Sequence, residues 1–250
     1  MKRTVISWSL VAVCCAAFVA TPAKAEVTNL GYWRGGEADS PSPSGKGQQK
    51  LNITTVDSSG KGQDLAPMQK GGLGPMYDFS GAVPKSCVSL AFDPVAENPL
   101  TGTAIMTKEA NWGIQCYTTA TADGTSLISN GDGTGGGFGL MIYNNHYSGV
   151  MSGKVVLEGT VTPNGDWHNI ALVNEDGTLF LYVDGVVNAT SQPGGAAPAS
   201  GFLTIGATFN GNLGRCENFA NGKIDEARIF TFGPGEFVQS DLKDYVGQKK

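Results

Sequence analysis

The stretch WHNIALVNEDGTLFLYVDG, residues 167–185, decides the fold of this 250-residue chain. Two short apolar runs are joined by the acidic turn Asn-Glu-Asp-Gly, in which Gly177 suits the positive φ of a tight turn. Successive side chains of a strand point to opposite faces, so Phe180 and Tyr182 share one face of the second run. The other face carries Leu179, Leu181 and Val183. The stretch therefore predicts a β-hairpin with one buried face.

The same short apolar runs recur along the chain between Gly, Asn and Asp clusters. They include CVSLAFD (87–93), NWGIQCYTT (111–119), GFGLMIYN (137–144) and GKIDEARIFTF (222–232). The 36 glycines separate many strands by tight turns, and no long stripe with the 3.6-residue period of a helix occurs. We expect an all-β chain that folds as one antiparallel β-sandwich or barrel.

The first 25 residues have the pattern of a signal peptide. The basic start MKR precedes the apolar run TVISWSLVAVCCAAFVA, and AKA at 23–25 matches a cleavage signal. We expect cleavage near Ala25, which gives a domain spanning 26–250 that is secreted or periplasmic in a bacterium. No other apolar run reaches membrane length, so we expect no transmembrane anchor in the mature chain.

The charge of the mature chain bears on its partners. Three of the 17 basic residues lie in the signal segment, so residues 26–250 carry 14 basic against 22 acidic residues, a net charge of −8. A negative chain without a basic patch argues against nucleic acid or an anionic membrane as a partner.

Several motifs together resemble a known family. GDWHNIALVNEDGTLFLYVDG (165–185) and NGKIDEARIFTF (221–232) carry most of the resemblance, with GYWR (31–34) and LTIGA (203–207) in the expected order. They are similar to the laminin-G-like domains of the concanavalin A-like lectin/glucanase superfamily, in the bacterial secreted form. The resemblance implies a jelly roll of two packed antiparallel sheets. It also implies binding of glycans, proteins or calcium.

The sequence favours a non-catalytic binding or adhesion module over an enzyme. Laminarinase-type glycosidases of the superfamily carry E-x-D-x-x-E on one strand, and the chain has no such string. Asp225 and Glu226 are adjacent, so in a regular strand they point to opposite faces unless a bulge intervenes. No G-x-S-x-G motif is present. Two alternatives stay open: a glycan-active hydrolase or lyase of the same superfamily, and a purely structural extracellular protein.

A structural calcium site is predicted from DSSGKGQD, residues 57–64. Calcium takes six to eight oxygen ligands from carboxylates and loop carbonyls. We expect ligands from Asp57, main-chain oxygens near Gly60 and Gly62, and Asp225, because the first and last strands of jelly rolls commonly pair. The alternative is that these carboxylates only form turns and bond to backbone N–H groups.

Two aromatic clusters are candidates for binding a glycan or a cell-surface protein. Sugar sites combine an exposed aromatic face with amide and carboxylate groups. Phe180 and Tyr182 form the first candidate. The second lies in the run YNNHYS and is formed by Tyr143, Asn144, Asn145, His146 and Tyr147.

The mature chain contains three cysteines: Cys87, Cys116 and Cys216. Three is an odd number for an oxidising compartment, so at most one internal disulfide forms. Cys116 and Cys216 both fall at strand-like positions, and we favour that pair. The alternative is three buried apolar thiols.

The calcium prediction is tested by chelation. Removal of a structural calcium ion by a chelator removes its binding free energy from the folded state, so the unfolding temperature should fall. Calorimetric melts of the mature protein with calcium and with chelator measure the shift. An unchanged unfolding temperature would rule out the site.

Overall fold

The computed structural model describes residues 27–33, 58–61, 65–67, 77–78, 88–90, 110–131, 137–151, 155–191, 202–210, 212 and 215–242. These residues form sixteen strands, here numbered in chain order: β1 (Thr28–Trp33), β2 (Leu65–Pro67), β3 (Tyr77–Asp78), β4 (Val88–Leu90), β5 (Trp112–Thr118), β6 (Ser126–Asn130), β7 (Phe138–Tyr143), β8 (His146–Met151), β9 (Val155–Glu158), β10 (His168–Glu175), β11 (Thr178–Val183), β12 (Val186–Ser191), β13 (Leu203–Ile205), β14 (Thr208–Asn210), β15 (Arg215–Glu217) and β16 (Lys223–Thr231).

The strands form two large antiparallel sheets. Sheet A has the order β1-β16-β5-β10-β11-β12, with β3 also paired to β16, and sheet B has the order β2-β4-β13-β6-β7-β8-β9. Strands β14 and β15 form a separate two-stranded sheet. The architecture is a β-sandwich of the jelly-roll class, which confirms the expected all-β fold.

The opening stretch forms the predicted hairpin. Strands β10 and β11 pair in register, with Leu172 opposite Leu181. The turn between them has positive φ at Asp176 (46°) and Gly177 (79°), the combination that suits the right-handed twist of a two-residue hairpin turn. The three side chains predicted to be buried are indeed in the core: Leu179, Leu181 and Val183.

The two sheets pack face to face over one apolar core. Trp112 of sheet A stacks on Phe138 of sheet B with ring centroids 4.1 Å apart. A Cβ atom added to Gly149 would lie 2.6 Å from a methyl carbon of Leu172, so the sheets approach closely where β8 has no side chain. This contact between strands of different sheets fixes their separation.

The first strand pairs with the last, as the sequence predicted. Strand β1 lies antiparallel to β16, with Tyr32 opposite Arg228. A bulge interrupts β16 between Asp225 and Arg228 on the side of β5, and Glu226 has a φ of 48°. Asp225 and Glu226 therefore do not follow the simple alternation expected of a regular strand.

The C-terminal segment covers part of the outer face of sheet A. Phe237 and Leu242 are buried against outward side chains of the sheet and form a second apolar cluster. The members contributed by the sheet and its end are Ala171, Val173, Tyr182, Phe230 and Phe232. The side-chain amide of Gln239 donates a hydrogen bond to the carbonyl oxygen of Gly185, which ties the segment to the β11–β12 turn.

A buried polar network lies beside this second cluster. The Arg228 guanidinium donates to the Gln115 side chain (2.7 Å) and to the backbone carbonyl of Asp241. Gln115 in turn donates to Asn169 (2.8 Å), and Asn169 donates to the Tyr117 hydroxyl (3.2 Å). Burial lowers the pKa of Arg228 to about 10, and the neighbouring Tyr117, Asp241 and Glu226 oppose this shift. Arg228 therefore stays charged at neutral pH and fixes the C-terminal segment.

The predicted disulfide between Cys116 and Cys216 is wrong. Cys116 is a free thiol on the inner face of β5, between the neighbouring strands β16 and β10, and it is fully buried. Cys216 lies on β15 in the separate two-stranded sheet. Strand-like spacing in the sequence did not reveal that the two cysteines belong to different sheets.

No helix among the residues that the structure describes is long and apolar enough to cross a membrane.

The Cys116 thiol should be unreactive in the folded protein. Burial raises its pKa, so neither the thiolate nor access for a reagent is available at neutral pH. Alkylation followed by peptide mass spectrometry should label Cys116 only in denaturant. Labelling of Cys116 in the native protein, or a cross-linked Cys116–Cys216 peptide, would contradict this assignment.

Leu181→Ala should cost about 2–5 kcal/mol of unfolding free energy, because it leaves a cavity in the core between the sheets. Val186→Ala is the matched control, since Val186 is 64% exposed and its truncation should change stability by less than about 0.5 kcal/mol. Urea denaturation of both variants measures the difference. A loss below about 1 kcal/mol for Leu181→Ala would show that this leucine does not support the core.

Candidate functional site

The turn between β7 and β8 carries the second predicted ligand cluster. Asn144 and Asn145 have φ values of 51° and 62°, the left-handed conformation that a two-residue hairpin turn needs and that Asn adopts readily. Tyr143 and His146 face each other across the turn as a cross-strand pair. Tyr143 is 41% exposed and His146 is half-buried, so the turn presents an aromatic ring and an imidazole together at the surface.

Glu158 of the neighbouring strand β9 clamps this turn. One carboxylate oxygen lies 3.0 Å from Nδ1 of His146, and the other accepts a hydrogen bond of 3.1 Å from the Asn144 amide. Because Nδ1 faces a carboxylate oxygen, Nδ1 carries a hydrogen, and Nε2 of the neutral ring is then an acceptor. The clamp fixes both the ring and the amide without a ligand.

Asp123 supports the turn through its backbone. The Asn145 N–H donates to the Asp123 carboxylate at 3.0 Å. Two backbone hydrogen bonds to Ile142 anchor the loop that carries Asp123. The Gly124 N–H donates to the Ile142 carbonyl oxygen, and the Ile142 N–H donates to the Thr125 carbonyl oxygen. We use the name hairpin cluster for the surface formed by Asp123, Tyr143, Asn144, Asn145, His146 and Glu158.

The hairpin cluster combines one apolar ring face with several hydrogen-bonding groups. The ring of Tyr143 is exposed, and the amide of Asn145, the imidazole of His146 and the carboxylate of Glu158 lie on the same turn or against it. Such a surface can contact an apolar ligand face and bond to polar groups at its edge.

Sequence reasoning found four members of this cluster and missed two. Tyr143, Asn144, Asn145 and His146 were predicted from the run YNNHYS, and the structure brings them together. Tyr147, which was predicted with them, is buried in the core instead. Glu158 and Asp123 come from other parts of the chain, and nothing local in their sequences marks them as partners of the turn. A strand pairing of β8 with β9 places Glu158 opposite Ser148, beside His146.

The platform predicted from Phe180 and Tyr182 is largely covered. Tyr182 is only 6% exposed and packs edge-on against Phe237 of the C-terminal segment. Phe180 is half-buried and packs against the same apolar cluster. Their alternation to the outer face was predicted correctly, but a covering segment occupies that face.

The predicted calcium ligands are only partly within the described residues. Asp57 and Gly62 lie outside them, while Gly60 lies in an exposed turn with a φ of 76°. That turn is tied to the first strand by a bond from Ser58 N–H to the Tyr32 carbonyl oxygen (2.7 Å). Asp225 is buried, and its carboxylate accepts a bond of 2.8 Å from the Glu226 N–H in the bulge.

The described residues also bear on a metal centre built from other side chains. In the part of the chain that the structure describes, no group of three or more His, Cys, Asp or Glu side chains could hold a metal ion. Calcium at Asp57 and Asp225 stays a prediction, because Asp57 is not among those residues.

His168, the histidine of the opening stretch, is clasped between two turns. Its Nδ1 lies 2.7 Å from the Asp184 carboxylate, and its Nε2 lies 3.0 Å from the Asn164 side-chain oxygen. The other Asp184 oxygen accepts a bond of 2.9 Å from the Asn169 N–H. Both ring nitrogens therefore contact side chains that also accept a hydrogen bond from a backbone N–H, and the contact with Asp184 joins the start of β10 to the β11–β12 turn.

Tyr147 lies beneath this clasp. Its ring is 5.5 Å from the His168 ring, and its buried hydroxyl has no hydrogen-bond partner among the residues that the structure describes. Burial raises its pKa, so the hydroxyl stays protonated at neutral pH.

Comparison with solved structures gives the same fold in proteins of low sequence identity. Domain 4 of AbnA, an extracellular arabinanase of glycoside hydrolase family 43 from Geobacillus stearothermophilus solved in complex with arabinotriose, is similar over 88% of this chain and 99% of that one. The TM-score is 0.54 at 15% identity. A likeness at this identity shows the fold.

A second similar structure is the Trypanosoma rangeli sialidase in complex with 2,3-difluorosialic acid. The TM-score is 0.54 at 11% identity, and the match covers 86% of this chain but only 32% of the sialidase chain. The likeness thus concerns one part of that enzyme. No curated protein sequence matches the chain.

The family model gives the decisive comparison. The laminin G model described as concanavalin A-like lectin/glucanases superfamily matches residues 99–232, which is more than half of the chain. The matched residues include the opening hairpin, the hairpin cluster and strand β16. The resemblance noted in the sequence is confirmed, and the chain belongs to the laminin G family of the concanavalin A-like lectin/glucanases superfamily.

Proposed function

We propose that the protein is a non-catalytic carbohydrate-binding module that acts outside the cytoplasm. The observation that carries the proposal is the hairpin cluster, in which an exposed tyrosine ring stands beside an amide, an imidazole and a carboxylate. The signal-peptide pattern of residues 1–25 supports export.

The chemistry of a sugar matches this surface. A pyranose or furanose ring has an apolar face of C–H groups, which packs on an aromatic ring, and a rim of hydroxyls that donate and accept hydrogen bonds. In the proposal, Tyr143 contacts the apolar face. Nε2 of His146 accepts from one hydroxyl, and the Asn145 amide bonds to another.

The preformed turn favours binding. Asn144 and His146 are already held by Glu158, and the Asn145 backbone is held by Asp123. A ligand then meets groups that have lost much of their conformational freedom, which lowers the entropic cost of association. The arabinanase domain solved with arabinotriose supports a glycan as the class of ligand.

In the proposal, Glu158 and Asp123 hold the turn and do not cleave a glycosidic bond. Retaining and inverting glycosidases need two carboxyl groups that face the scissile bond, one of which gives up a proton. Both oxygens of Glu158 contact side chains of the turn, and the contacting Asp123 oxygen accepts from a backbone N–H. These carboxylates are committed to holding the turn.

Tyr143→Ala should weaken glycan binding about tenfold, because the ring that packs on the sugar is removed. Tyr143→Phe keeps the ring and should retain most of the affinity. A glycan array with the mature protein identifies the ligand, and calorimetric titration then compares the two variants. Val186→Ala, which truncates an exposed aliphatic side chain on β12, is the control and should bind as the unmodified protein does.

Two outcomes would contradict this function. One is an array on which the folded protein binds no glycan. The other is glycan binding that Tyr143→Ala leaves unchanged, which would place the site on another surface.

A further inference from the structure

We infer that the hairpin cluster selects uncharged glycans and rejects glycans that carry a carboxylate or sulfate group. This inference rests on the proposed function and specifies the chemical class of its ligand. It is carried by the charges around the turn and by the donors that those charges already occupy.

Two carboxylates flank the turn, and among the described residues neither of them forms an ion pair with a lysine or an arginine. Asp123 is exposed, and the side chain of Glu158 is 38% exposed, so both carboxylates lie at the surface that the proposed ligand would contact. The described residues between 110 and 191 contain six acidic residues and no lysine or arginine. Those six are Asp123, Glu158, Asp166, Glu175, Asp176 and Asp184.

The one basic residue of that range in the sequence is Lys154, which lies outside the described residues.

Three donors of the turn already bind the protein's own carboxylates, and the side-chain amide of Asn145 that remains is uncharged. Asp123 accepts from the Asn145 backbone N–H, and Glu158 accepts from the Asn144 amide and contacts Nδ1 of His146. Strong recognition of carboxylate or sulfate groups uses charge-assisted bonds from Arg, Lys or backbone N–H groups. The turn offers an acidic ligand repulsion without these compensating bonds.

The expected loss of affinity for an acidic glycan follows from Coulomb repulsion between charges that are exposed to water. A ligand anion within several ångströms of two partly exposed carboxylates should bind about three- to tenfold more weakly than its neutral counterpart at low salt. The difference should shrink as salt is added, because added ions screen the repulsion. The same glycan core with and without its acidic group isolates this effect from other contacts.

The experiment uses an array of matched glycans on the full mature protein, in which each neutral core is paired with its sialylated, uronate or sulfated form. Neutral forms should bind, and their acidic counterparts should bind more weakly. Asp123→Asn keeps the acceptor for the Asn145 N–H and removes one charge, so binding of acidic forms should rise about two- to fivefold at low salt.

Asp176→Asn is the matched control. It removes one negative charge, as Asp123→Asn does, and the φ of 46° at Asp176 suits asparagine. Asp176 follows the last residue of β10, whereas His168, which contacts Tyr147, lies at the first. Its binding of acidic and neutral forms should equal that of the unmodified protein. If Asp123→Asn fails to fold, salt titration of the unmodified protein decides, since weak binding of acidic forms should then strengthen with salt.

The outcomes separate this inference from the function on which it rests. Acidic forms that bind as tightly as neutral ones, or more tightly, overturn the inference and leave glycan binding intact. Binding of acidic forms that weakens as salt is added also overturns it. A folded protein that binds no glycan of either kind overturns the proposed function itself.

Discussion

The close contact between the two sheets is the constraint on which the rest of the molecule depends. Leu172 of sheet A approaches β8 of sheet B at Gly149, where any side chain would collide with its methyl groups. Side chains on the inner faces of both sheets then fill one continuous apolar core, which includes Trp112, Phe138 and Leu181. Because the inner faces pack against each other, a ligand can reach functional groups only on the outer faces and the turns.

The two outer faces are used differently. On sheet A, Tyr182 is covered by the C-terminal segment, which Phe237 anchors in an apolar cluster and the Arg228 network fixes by its polar bonds. The aromatic side chains of that face therefore pack in the apolar cluster and stabilise the fold. On sheet B, the β7–β8 turn extends to the solvent, and Tyr143 is exposed at its base. The difference arises because a long segment follows β16 and packs back on its own sheet.

The hairpin cluster shows how a binding surface is assembled from distant parts of the chain. The two-asparagine turn places Tyr143 and His146 across from each other. Glu158 and Asp123, separated by 35 positions in the sequence, hold it from two sides. The carboxylates that give the site its rigidity also give it its negative charge, so preorganisation and ligand selectivity have a common source.

The sequence by itself determined the local structure, because alternation and turn chemistry act over a few residues. It predicted the hairpin of residues 167–185, the burial of Leu181 and the all-β class, and the family followed from its motifs. Tertiary structure alone decided which outward face is covered, which is why the Tyr182 platform was wrong. It also placed Cys116 in a different sheet from Cys216 and brought Glu158 to His146, since both depend on strand order, which local periodicity does not encode.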